Sequence, residues 1–162
     1  MIQRSLALAA LGLMLVSAAG GLIHGLSVQH ETLLRLREHH QPAFTHAAQG
    51  QTDLARSELQ QAMQHNFRYV RIIDAHTHVI KLASLALMLS FILPLLPFSD
   101  RTRRAVAGAF VAGAVLFPGG VLLQIWVPGL VFQGIAALGA VMVIVAMGIT
   151  VQGLWKTAVA SD

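Results

Sequence analysis

Cysteine is absent from this chain of 162 residues. Its absence excludes disulfides, thiolate metal sites, cysteine nucleophiles and the Cys-x-x-Cys-His attachment of c-type haem. Charged residues are also scarce, at 11% against 56% hydrophobic residues, and the mean hydropathy is +0.67. There is no Gly-x-Ser-x-Gly, no phosphate-cradling loop and no His-Glu-x-x-His. The sequence therefore lacks the usual signatures of serine hydrolases, nucleotide-binding proteins and zinc proteases.

The few charges are strongly segregated along the chain. No Asp, Glu, Lys or Arg occurs in Ser5–His30, Leu82–Ser99 or Ala105–Trp155. About 20 apolar residues of helix cross a bilayer, and the third stretch is long enough for two crossings. The sequence therefore predicts an all-α integral membrane four-helix bundle, a single domain whose spans are approximately Arg4–Ser27, Val79–Phe98, Arg103–Leu123 and Gly129–Trp155.

Helix-breaking residues divide the third apolar stretch near its middle. They are Pro118-Gly119-Gly120 and Trp126-Val127-Pro128-Gly129. With span three ending at Leu123 and span four beginning at Gly129, we expect the connection between them at residues 124–128.

The first apolar stretch has a second interpretation, a cleaved secretory signal. Arg4, Leu6–Val16 and the small residues after Val16 fit the regions of a signal peptide. However, the apolar run continues to Val28, which makes it long enough to span. We therefore expect a retained helix.

Basic residues near the span ends predict the orientation, because they favour the cytoplasm. Arg4, Arg101, Arg103, Arg104 and Lys156 fall on one side of a four-span protein. We expect a multi-pass protein of a bacterial inner membrane with both termini cytoplasmic, although the outer connection also carries arginines. The sequence pI is near 10.7. This does not indicate nucleic-acid binding, because the sequence has no basic patch interleaved with aromatic residues.

Residues 28–78 should form a helical hairpin outside the cytoplasm. Segments 31–38 and 53–63 are rich in helix formers, and Pro42 should interrupt the first of them. Gly50 should cap that first helix, with Thr52 or Asp53 as the N-cap of the next.

No glycine or proline lies between Asp53 and Pro94, so the second helix should run unbroken from the hairpin tip into the membrane. The hairpin is too small for a core of its own. We therefore expect it to pack on itself, on a membrane-protein partner or within a homo-oligomer.

Three histidines should meet at one membrane–water boundary, because His24 lies a few residues before the end of span one while His76 and His78 lie just before the start of span two. Imidazole is the commonest metal ligand of proteins, and ionisable groups near a membrane interior suggest a functional site. We predict that these histidines bind b-type haem or a divalent metal, with Gly20 and Gly21 leaving room for a flat cofactor. The alternatives are interfacial histidines that bind water, backbone or lipid headgroups, and glycines that serve tight helix packing.

Residues two apart on a helix point about 200° away from each other. His76 and His78 therefore cannot both hold one ion without distorting the helix. The predicted haem ligands are His24 with His76, and His78 is the alternative partner.

The remaining polar residues have less specific interpretations. His39, His40 and His46 should be solvated near the hairpin tip, with scavenging of copper or zinc as the alternative. At the depth of the three boundary histidines, Gln124, Trp126 and Gln133 could contact a ligand, a quinone headgroup or interfacial water.

The segment Ala75-His76-Thr77-His78-Val79, which opens an apolar helix, resembles a His-x-His helix start found in small uncharacterised bacterial membrane proteins. More distantly, it is similar to the histidine-containing helix of the catalytic subunit of haem-copper oxidases and nitric oxide reductases. This resemblance covers about 20 residues and implies haem ligation. That family's further histidines are missing from spans three and four, so reduction of oxygen or nitric oxide is not implied.

Together these observations give two hypotheses of different classes. The first is a membrane protein that binds haem b or a metal at the outer leaflet and transfers electrons or senses a ligand. The second is a non-catalytic accessory or assembly subunit that docks through its outer hairpin. The sequence leaves enzymatic activity open.

Overall fold

The computed structural model describes residues 2–24, 29–127 and 129–159. The described part of the chain has five α-helices and no strand, which confirms the all-α prediction. The predicted end of span one at Ser27, and Pro128 in the expected break before span four, lie outside the described residues. The helices are α1 (Ile2–Ile23), α2 (Gln29–Ala48), α3 (Thr52–Ile92), α4 (Asp100–Leu123) and α5 (Leu130–Val159), with a short 3-10 turn at Leu93–Leu95.

Helices α1, α3, α4 and α5 are long and apolar enough to cross a membrane, so the chain is a multi-pass membrane protein. Ser5 of α1 lines a groove with Asp100 and Arg104 of α4, and Gly153 of α5 packs against Phe98. The starts of α1 and α4 and the end of α5 therefore lie at one end of the bundle. The arginines at 101, 103 and 104 share that end with the last turn of α5.

A core of small and branched side chains joins the spans. Phe110 of α4 is completely buried and belongs to one buried cluster with Leu6 of α1, Leu89 of α3 and Ala146 of α5. Large apolar side chains on the outer surfaces of α1 and α5 are exposed, including Leu15 and Ile144. This distribution suits helices whose outward faces contact lipid, because apolar side chains on such faces are not exposed to water.

Helices α4 and α5 approach closely through glycines. A Cβ on Gly113 would lie 2.6 Å from the carbonyl oxygen of Gly139, and one on Gly120 would lie 2.6 Å from the backbone nitrogen of Ala136. Helix α4 continues through Pro118-Gly119-Gly120 to Leu123, the predicted end of span three. Pro118 and Gly120 are buried there, and Gly120 packs on α5. Membrane helices tolerate such a proline because neighbouring groups compensate the hydrogen bond that it loses.

Arg103 and Ser99 fix the tight link between α3 and α4. The Arg103 Nη2 donates to the carbonyl of Leu96 at 2.9 Å, and its Nη1 lies 3.5 Å from the Asp100 carboxylate. Ser99 is the N-cap of α4 and accepts a hydrogen bond from the Thr102 amide. The link is thus held by hydrogen bonds from its own residues.

The outer hairpin consists of α2 packed antiparallel on the first half of α3. Gly50 has φ +73°, its amide donates to Ala47, and the Gln51 amide donates to His46. This is the Schellman pattern of helix termination, so the glycine cap is present as expected. The predicted N-cap is wrong by one or two residues: Gln51 occupies that position without a side-chain hydrogen bond.

Helix α2 also passes through Pro42 without interruption, contrary to the sequence prediction. A proline inside a helix costs roughly 3 kcal/mol. Packing of α2 along α3, with Ala43 buried, offsets this cost.

Helix α3 is 41 residues long and unbroken, as the absence of glycine and proline predicted. It extends about 60 Å at 1.5 Å per residue, roughly twice the hydrocarbon thickness of a bilayer. Its N-terminal half carries Asp53, Arg56, Glu58 and Arg68. We therefore place that half outside the membrane, and α3 connects the outer hairpin rigidly to the spans.

Candidate functional site

A groove of about 440 Å³ opens between α1 and α3 at the end of the bundle that faces the outer hairpin. Its wall is mostly apolar, and four side chains with polar atoms enter it from the two helices. The groove is lined by Val16, Ser17, Gly20, Gly21, His24, Tyr69, Ile72, Ile73, Ala75, His76, Val79 and Leu122.

His76 is anchored to α1 by Ser17, which is buried. The Ser17 hydroxyl donates to the backbone carbonyl of His76 at 3.3 Å, and its oxygen lies 3.0 Å from Nδ1 of the same residue. Both contacts are satisfied together when Nδ1 carries the proton and donates to Ser17. We assign that tautomer from the hydrogen-bond network, and it leaves a lone pair on Nε2.

The two neighbouring glycines of α1 have different surroundings. The His76 ring packs against Gly21, where an added Cβ would lie 2.7 Å from Nε2. A Cβ on Gly20 would meet nothing within 4 Å, although Gly20 lines the groove. Gly21 therefore admits the imidazole, and Gly20 widens the groove.

His24 directly follows α1 and brings the second imidazole into the groove. Its Nε2 is buried and has no hydrogen-bond partner. Its ring lies against Tyr69 of α3, with centroids 5.9 Å apart and a tilt of 34°. A buried polar atom without a partner needs an explanation, and here it lies in a groove.

His78 lies outside this groove. Its ring packs against Phe117 of α4, with centroids 4.6 Å apart, because it points away from His76 on the same helix. The structure thus brings His24, His76, Gly20 and Gly21 together and separates His78 from them. Among the residues it describes, no three metal-ligating side chains form a group that could hold an ion.

The polar residues around the connection between α4 and α5 do not line the groove. Gln124 is buried and donates its Nε2–H to the carbonyl of Gly120 at 3.1 Å. Trp126 and Gln133 are exposed. Leu122 alone among their neighbours lines the site.

Two of the outer histidines have partners that sequence reasoning missed. His39 Nδ1 lies 2.8 Å from the Glu58 carboxylate, and the His39 ring stacks on His65 with centroids 5.4 Å apart. Burial lowers the pKa of His65, and the nearby His39, Arg35 and Arg68 lower it further. The interpretation of His39 as a solvated residue is therefore wrong.

An antiparallel hairpin about Gly50 could have predicted this cluster. A residue eleven positions before the turn lies opposite one eleven positions after it, which places His39 between Glu58 and His65. His46, nearer the tip, has its Nδ1 2.6 Å from the side-chain oxygen of Gln51.

No protein-family model, curated protein or solved structure matches this chain. The function is therefore argued from the groove itself.

Proposed function

We propose that this membrane protein binds b-type haem in the groove between α1 and α3 and uses it for electron transfer or for sensing. The observation that carries this proposal is the buried, unpartnered Nε2 of His24 beside the anchored imidazole of His76. A flat, largely apolar macrocycle suits an apolar groove that offers few polar atoms.

Haem suits the site better than a free metal ion does. A porphyrin supplies four nitrogens to its iron, so one or two histidines complete the coordination. A bare ion needs a larger set of protein ligands, such as the three or four of zinc sites. The absence of cysteine restricts the haem to a non-covalent one.

The hydrogen bond from His76 to Ser17 also suits ligation. Metal-binding histidines usually donate their second ring N–H to a neighbouring acceptor, which fixes the tautomer and the ring orientation. His24 is the first ligand in this proposal, since its Nε2 is already unpaired. His76 is the second candidate ligand. Its Nε2 lies against Gly21 in this structure, so ligation through Nε2 requires a ring rotation that also moves Nδ1 relative to Ser17.

Absorbance spectroscopy of the detergent-purified protein, as isolated and after addition of haem, tests the proposal. We expect a Soret band that is lost in His24→Ala and kept in His46→Ala, a matched change at the hairpin tip. Gly20→Phe should also abolish the band, because it fills the groove from a position where a side chain meets no neighbour. Absence of a Soret band in both preparations of the unmodified protein would rule out haem.

A quinone headgroup is the second candidate ligand. It is favoured by the pairing of one free imidazole nitrogen on His24 with the adjacent ring of Tyr69, since one or two hydrogen bonds suffice to hold a carbonyl. A quinone in the organic extract of the purified protein, missing from Gly20→Phe, would support it.

The accessory-subunit hypothesis makes a different prediction. A stable complex with another membrane protein should then survive replacement of His24, His76 and His78 by alanine.

We also propose that the bundle end carrying Arg101, Arg103, Arg104 and Lys156 is cytoplasmic, in a bacterial inner membrane. The shared position of these residues at one end supports this through the bias of basic residues toward the cytoplasm. Reporter fusions at the Gly50 turn should give an external signal. A cytoplasmic signal at that turn would reverse the orientation.

A further inference from the structure

The outer half of α3 has an uncovered apolar face. We define the α3 seam as Leu59, Met63, Asn66, Val70 and Ile73. All five are exposed, the four apolar ones by between 38% and 65%. In water, large apolar side chains in a continuous row signal an interaction surface.

The rest of the chain packs against a different face of α3. Ala62 is buried under α2, while Tyr69 and His76 face α1 and the groove. The seam is centred about 80° from that face, on the 3.6-residue geometry of the helix, and Ile73 at its inner end also borders the groove between α1 and α3. None of the described helices covers it, and the proposed topology places it beyond the reach of lipid.

We propose that the α3 seam is covered by the α3 seam of a second copy of this chain. Its members are spaced alternately by four and three residues, an average of 3.5, which keeps one helix face against a parallel partner. Two copies inserted in the same way present parallel α3 helices at the same depth. The spacing continues into the membrane at Thr77, Ile80 and Ser84, where the two smaller side chains permit close approach.

The charges also favour self-association over a different partner. Residues on a two-fold axis meet their own copies, so a charged side chain there would face a like charge. The seam contains none. Its one polar residue, Asn66, carries both a donor and an acceptor and can therefore pair with itself. Arg71 and Asp74 lie on one flank of the seam, beside a groove lined by Met63, Asn66 and Phe67, and therefore off the two-fold axis.

Cysteine cross-linking tests this proposal cleanly, because the chain has no cysteine of its own. Asn66→Cys on the seam is compared with Gln61→Cys, an exposed position on the same helix that points away from it. Full-length protein is oxidised in membranes and analysed without reductant. We expect Asn66→Cys to form a covalent dimer of twice the 17.3 kDa chain mass, because facing Cα atoms must approach within about 7 Å for a disulfide. Gln61→Cys should remain mainly monomeric.

A second test introduces a charge at Asn66 and moves the cysteine to another seam position. Asn66→Asp should lower the cross-linking yield of Val70→Cys on the order of tenfold at neutral pH, because it places like charges opposite each other. Asn66 is exposed, so its replacement should leave the helical circular dichroism unchanged. Equal dimer yields from Asn66→Cys and Gln61→Cys would overturn the proposal, as would cross-linking of Asn66→Cys only to another protein or a folded Asn66→Cys that stays monomeric.

Discussion

Gly21 is the position where one added methyl group most directly tests the contact between α1 and the His76 ring. Gly20 is its matched control, since it is adjacent on the same helix and a Cβ there meets nothing within 4 Å. Alanine at either position gains up to about 1 kcal/mol of helix propensity. Only at Gly21 must the new Cβ, 2.7 Å from Nε2, displace the imidazole.

The cost of that displacement follows from two contributions. Overpacking a well-packed contact costs about 1–3 kcal/mol. If the ring moves to avoid it, the hydrogen bond to Ser17 at 3.0 Å weakens, which costs about 1 kcal/mol. Gly21→Ala should therefore be less stable than Gly20→Ala by about 2 kcal/mol. This difference in unfolding free energy becomes smaller the more freely the His76 ring can turn away from the new methyl group.

Thermal unfolding of the two variants in the same detergent measures this difference. For a chain of this size, about 2 kcal/mol corresponds to a Tm difference of roughly 4–8 °C. Gly20→Ala should match or exceed the unmodified protein, and Gly21→Ala should fall below Gly20→Ala. Equal Tm values for the two variants would refute the packing of His76 on Gly21.

Two further predictions concern other parts of the fold. Gly120→Ala should destabilise the protein by about 1–3 kcal/mol, because its Cβ would lie 2.6 Å from the backbone nitrogen of Ala136. Gly119→Ala is the control and should not destabilise it, because a Cβ there meets no neighbour within 4 Å. Equal Tm values for the two variants would contradict this contact. The pKa of His65 is lowered by burial and nearby positive charge, so the unfolded chain binds more protons and the stability of the α2–α3 hairpin should fall as the pH drops below about 6.5. Protection factors of α2 amides, corrected for the intrinsic pH dependence of exchange, should fall in this range, and His65→Gln should reduce that fall. Protection factors that stay constant below about pH 6.5 in the unmodified protein would contradict the prediction.

The sequence was sufficient for the helices and for the continuity of α3. Charge-free stretches determine where helices can cross a bilayer, and an interval without glycine or proline contains nothing to end a helix. Such features depend on local composition. The expected interruption at Pro42 is absent because packing of α2 on α3 outweighs local propensity.

The site was only partly predictable for a related reason. The common face of Ser17, Gly20, Gly21 and His24 is visible from their spacing alone. Which of two adjacent glycines receives the His76 ring depends on the rotation of α1 about its axis, and 100° separates the two choices. That rotation is set by contacts between distant residues such as Ser17 and His76, which no local pattern encodes.

The length of α3 also has a mechanical consequence. His76 lies about 36 Å along the helix from Thr52, at 1.5 Å per residue, and no glycine or proline hinge intervenes. Helix α3 would therefore transmit a sideways displacement of the hairpin tip without bending. A tilt of about 5° about the membrane boundary would move the tip by about 3 Å over that length. Because His76 lies at the boundary about which the helix tilts, it would turn against Gly21 with little displacement while the hairpin tip moves.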